Sequence, residues 1–172
     1  MNAPRGPDRL DRLVENLARI ERRTAERYDH AARRFFDVPE PATPVAASLR
    51  VRLAMVRHAR GAREEAVRER RLAGIRDAAE RAAARAARVD ERIGELLERR
   101  AMLRRRLDAY LAYARREAYE RDGRPLEDDV LNARHERAHA ALYTGPMDLD
   151  QAERLVQRFV AAVRRRFPEV TP

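Results

Sequence analysis

From Leu72 to Ala114 the chain places a residue of one kind at alternating intervals of three and four: Leu72, Ile75, Ala79, Ala82, Ala86, Val89, Ile93, Leu96, Arg100, Leu103, Leu107, Tyr110 and Ala114. All but Arg100 are apolar. A period of 3.5 held for about six heptads is the seam of a coiled coil. At about 1.5 Å per residue such a helix reaches roughly 65 Å, whereas a compact chain of this length has a radius of gyration of only ~16 Å. The expected fold is therefore all-α, an elongated helical bundle built on a long coiled-coil helix, with short N- and C-terminal helices. The seam must be covered, either by the first and last helices of the same chain or by a second copy. Ala79, Ala82 and Ala86 let two backbones approach closely. Arg100 requires an acidic partner, because a buried charge left alone is very costly.

The remaining pattern divides the chain. Residues 1–7 carry two prolines and a glycine and read as a flexible tail. Leu10, Leu13, Leu17, Ile20, Tyr28, Ala31 and Phe35 form a stripe that predicts a helix over 8–36. Three prolines make 37–44 an extended connector, with Thr43 placed to cap the next helix and Pro44 at its first position. Residues 45–122 form an Arg/Ala-rich coiled-coil region, with its weak points at Gly61 and Gly74 and a hinge or turn expected within 60–71. Gly123 and Pro125 end it. Residues 123–172 read as a helical hairpin, the first arm running from about Leu126 to Tyr143 and the second capped by Asp148. No stretch alternates as a strand does.

Composition narrows this further. Leu, Ile, Val and Phe make up about a fifth of the chain, which supports thin helix-on-helix seams rather than a broad core. There is no cysteine, and hence no disulfide or thiolate metal site. No apolar run is long enough to span a bilayer, so a soluble cytoplasmic protein without a membrane partner is expected. The net charge of +9 comes entirely from arginine, since lysine is absent. Most of the excess falls between residues 44 and 123. Arginine favours phosphate and carboxylate partners, although a biased genome composition produces the same richness. Arg50, Arg52, Arg57 and Arg60, followed by a second knot at Arg99, Arg104, Arg105 and Arg106, are the candidate phosphate-binding residues.

His135-Glu136-Arg137-Ala138-His139 matches H-E-x-x-H, in which two histidines one helical turn apart bind zinc and the glutamate activates water. Glu153 on the next helix is the only third ligand in sight. Without a neighbouring strand to align substrate, a polar helix face explains the pattern better, and no cofactor is expected. Tyr113 and Glu117 at a spacing of four, and the tyrosine group at 110, 113 and 119, read as helix-face packing. The leading expectation is a non-enzymatic scaffold or protein–protein interaction protein that binds a protein partner or itself. Its seam residues would be Leu72, Ile75, Ala79, Ala82, Ala86, Val89, Ile93, Leu96, Leu103, Leu107 and Tyr110. Nucleic-acid binding through the arginine-rich middle is the alternative, and a metal-dependent hydrolase through His135 and His139 is the third.

Overall fold

The computed structural model describes residues 6–58 and 65–168. The fold is all-α, as the heptad and the lack of alternation imply. Five helices follow in order: α1 Gly6–Ala32, α2 Ala46–His58, α3 Glu65–Asp122, α4 Asp129–Tyr143 and α5 Leu149–Arg166. Among the described residues there is no strand, only an isolated bridge between Phe35 and Met147. None of these helices is long and apolar enough to cross a membrane. The expected tail at 1–7 lies mostly outside the described residues, although α1 already includes Gly6 and Pro7.

The chain divides into two compact units, and α3 contributes to both. Unit 1 comprises residues 1–29 and 39–93; unit 2 comprises 30–38 and 94–172.

In unit 1 a three-helix core gathers Leu10, Val14 and Leu17 from α1, Ala46, Leu49, Leu53 and Val56 from α2, and Ile75, Ala79 and Ala82 from α3. This arrangement sets α2 and α3, the two helices of the 45–122 region, side by side. A single straight helix would hold Leu49 and Ala82 about 50 Å apart, yet they share one cluster, so α2 lies back along α3. Of the expected hinge in 60–71, the part from Glu65 onward is helical and runs on through Gly74; residues 59–64 lie outside the described residues. The start of α2 also differs from expectation. Its first amides, those of Val45 and Ala46, donate to the Glu21 carboxylate at 2.8 and 3.2 Å. A carboxylate on α1 thus does the work assigned to Thr43, and negative charge at a helix N-terminus is favourable.

In unit 2 the seam continues as buried Leu103, Leu107, Tyr110 and Ala114, alongside Phe159, Val163 and Phe167 of the C-terminal segment. Gly123 closes α3 in the left-handed conformation at φ +62°, its amide donating to the Tyr119 carbonyl at 2.9 Å. Asp128 caps α4 by accepting from the Leu131 amide, which moves the start of that helix from the expected Leu126 to Asp129. Asp148 caps α5, accepting from the amides of Asp150 and Gln151 at 2.9 Å. α1 stops at Ala32 rather than near Phe36. The following backbone turns to pair with the α4–α5 corner instead: the Phe36 amide donates to Met147 and the Met147 amide to Arg34.

Candidate functional site

The heptad seam is filled from within the chain. In unit 1, Ile75, Ala79, Ala82, Ala86 and Ile93 are buried, with Leu72 and Val89 half-buried. In unit 2, Leu103, Leu107 and Tyr110 are buried, with Leu96 half-buried. These residues form the interior of their units.

The second arginine knot grips the corner between α4 and α5. Arg99 donates through Nε and Nη2 to the Glu153 carboxylate, the Nε contact at 2.9 Å, and through Nη2 to Asp150 at 2.8 Å. The hydrogen bond to Glu153, more than any other influence, holds its guanidinium in the charged form. Arg100 meets no carboxylate, contrary to expectation. Its Nη2 and Nε reach the Leu142 carbonyl at 2.8 and 3.2 Å. That oxygen lies in the last turn of α4, where carbonyls lack helical partners and the dipole favours a cation. Burial, then Arg104 and Arg34, push the Arg100 pKa downward. Arg104 stands 3.9 Å from the centroid of the Tyr143 ring, a cation–π contact. Of the candidate phosphate binders in this knot, only Arg105 and Arg106 remain exposed and uncommitted to this corner.

His135 and His139 lie on α4 within a ladder of rings. His135 meets Phe159 edge-on at 5.5 Å, His139 is 5.8 Å from His135, and the His139 ring stacks on Tyr143 at 4.1 Å with planes 6° apart. Burial, then the neighbouring His139 and Arg115, push the His135 pKa below its ordinary value, against weaker opposing pulls from Asp108 and Glu136. Glu153, the candidate third ligand, pairs with Arg99. Among the described residues no three His, Asp or Glu side chains converge as a metal site would require. The motif's spacing serves aromatic packing here.

In unit 1 the exposed features belong to α2. Arg50 and Arg52 are exposed, and the helix contains no acid. Arg57 is drawn off by an ion pair with Asp11 on α1. Arg60 lies outside the described residues. Val51 and Met55, one turn apart, are 55% and 67% exposed. Beside them a groove of about 390 Å³ lies between α2 and α3, lined by Leu49, Met55, Val56, Gly74 and Ile75, with Arg52 and Arg71 at its edge. The sequence expectation for a site in this segment concerned its arginines alone. Val51 and Met55 stand off the buried line of Leu49, Leu53 and Val56, and that offset is the signal the sequence carries for them.

Unit 2 holds a second feature that sequence reading passed over. Arg134 and Arg137 of α4 and Arg158 and Arg165 of α5 line one cleft of about 330 Å³, floored by Leu155 and Ala161. No acid takes part in its walls. The near-neutral total charge of this segment concealed it.

Comparison with protein-family models, with curated proteins and with solved structures yields no match.

Proposed function

We propose that this chain is a non-enzymatic helical interaction protein that receives an acidic, amphipathic helix of a partner protein along α2. The observation that carries this reading is the pair Val51 and Met55, exposed beside an apolar groove and flanked by Arg50, Arg52 and Arg71. A helix laid in such a groove buries its apolar anchors, and flanking charge sets its orientation and speeds encounter. Self-association through the heptad is disfavoured, because the chain's own helices occupy that seam.

Nucleic-acid binding ranks second. Its specific support is the acid-free α2 bearing exposed Arg50 and Arg52. It is weakened by the pairing of Arg57 with Asp11, of Arg99 with Asp150 and Glu153, and of Arg104 with Tyr143.

The deciding experiment is purification of the tagged full chain from its native host, in parallel with Val51→Glu/Met55→Glu. The expected outcome is a protein partner that crosslinks to α2 in the wild type and is lost from the variant, with helicity unchanged by circular dichroism. Retention of the same partner by the variant sinks the proposed surface. Retention of nucleic acid instead, released by salt with a steep dependence, replaces the first reading with the second.

A further inference from the structure

Both acids within α5, Asp150 and Glu153, are bound to Arg99. Arg164 donates to the Tyr110 hydroxyl through Nη2 at 2.6 Å and Nε at 3.0 Å. What remains on the face of α5 turned toward α4 is Arg158 and Arg165, two helical turns apart, with Leu155 and Ala161 between and below them. α4 answers with Arg134 and Arg137, one turn apart, and the two helices pack directly on each other. Four guanidinium groups thus line one cleft, and no ion pair to a described carboxylate engages any of them. On α5 the charges are sorted: both acids go to the corner clamp, while Arg158 and Arg165 face Arg134 and Arg137 of α4 across the cleft.

Like charges held together repel, and a multiply charged anion relieves that repulsion while using the donors the arginines bring. Each guanidinium presents a planar fork that matches the oxygens of a phosphoryl group in bidentate fashion. A volume of about 330 Å³ sits at the small end of ligand sites and suits a compact anion rather than a groove-spanning helix. No aromatic side chain lines the cleft, so nothing there would stack on a base. We infer that the α4–α5 cleft binds a small oligophosphate, recognised through its phosphoryl groups, whether free as pyrophosphate or tripolyphosphate or carried as the tail of a nucleoside triphosphate. This site is separate from the α2 surface and does not depend on the function assigned to it.

The test is calorimetric titration of the full chain with tripolyphosphate, pyrophosphate, ATP and sulfate at low and moderate salt. Tripolyphosphate should bind with one site per chain and more tightly than sulfate, and Arg158→Gln/Arg165→Gln should weaken it by about tenfold or more. Arg134→Gln/Arg137→Gln, made in the opposite wall, should do the same. Arg105→Gln/Arg106→Gln removes equal charge from α3 and should change affinity less than about twofold. Equal affinity for ATP and tripolyphosphate marks the nucleotide tail as an acceptable source, whereas a preference for the free anion marks oligophosphate alone; either outcome supports the site. An equal loss in the α3 control, absence of binding at low salt, or displacement of tripolyphosphate by duplex DNA at lower concentration overturns it. Circular dichroism of each variant confirms that the helices persist, and all four positions lie at the surface or only partly buried.

Discussion

Unit 1 and unit 2 use one heptad pattern in two ways. In unit 1 the α3 seam presents Ala79 and Ala82 to α1 and α2, and the shared core is aliphatic throughout. In unit 2 the seam presents Leu103, Leu107 and Tyr110, Phe159 and Phe167 are fully buried, and arginines reach across to carboxylates, a carbonyl and rings. Small seam residues gain from close helix approach and bury little area each. The contrast teaches that a period of 3.5 specifies which face is covered, while side-chain volume decides how closely the covering helices can approach.

The largest test of that contrast is Leu103→Asp. An uncompensated charge at a position 3% exposed should cost upward of about 4 kcal/mol and unfold unit 2. Chemical denaturation followed by circular dichroism checks it, and an unchanged midpoint would mean that the seam there is not a core. In unit 1 the sensitivity runs in the opposite sense, toward added volume. Ala82→Leu should cost about 2–3 kcal/mol by overpacking the close approach to α1 and α2; a stabilised variant would show that the approach is not tight.

The polar covering of unit 2 is probed by Arg100→Ala. Loss of both donors to the Leu142 carbonyl, together with the packing of the arginine stem, should cost about 1–2 kcal/mol. Arg100→Met, which keeps the stem, should recover part of it. Among the described residues of unit 1, the Thr24 hydroxyl and one Asp90 carboxylate oxygen are buried without a hydrogen-bond partner. Thr24 is 1% exposed. Thr24→Val should therefore be neutral or stabilise by up to about 1 kcal/mol, read as a rise in thermal midpoint.

The smallest effect concerns pH. The His135 pKa lies below its ordinary 6.5 in the folded state, so the unfolded chain binds more protons between the two values. Stability contributed by neutral His135 is fully present above the ordinary value and is lost as pH falls through it toward the folded value. The midpoint should drop by less than about 3 °C on acidification from this group, and His135→Gln should flatten that part of the pH profile.

The helical class and the identity of the buried seam were legible because burial repeats along one helix and leaves a local trace. The same holds for Asp148 and Gly123, whose capping roles act within a few residues. Other features required the folded chain. Arg100 pairs with a carbonyl 42 residues away, Arg99 with acids 51 and 54 away, and Glu21 caps a helix 24 residues downstream. Nothing at Arg99 distinguishes it from Arg105 until α5 lies alongside. The four-arginine cleft was concealed for the same reason: spacings of three and seven on two separate helices carry meaning only once those helices face each other. His135 and His139 show that a spacing of four, which fits a zinc motif, equally well places two rings in one aromatic ladder.

The bridge between Phe35 and Met147 has a consequence for the chain as it is made. All the helical segments of unit 1 are synthesised before residue 94, so its aliphatic core can close while translation continues. Residues 30–38, lodged within that early stretch, belong to the later unit and must wait more than a hundred residues for their backbone partner. A product terminated after Asp122 would carry the complete helices of unit 1 and an orphaned Phe35, left without the Met147 that secures it.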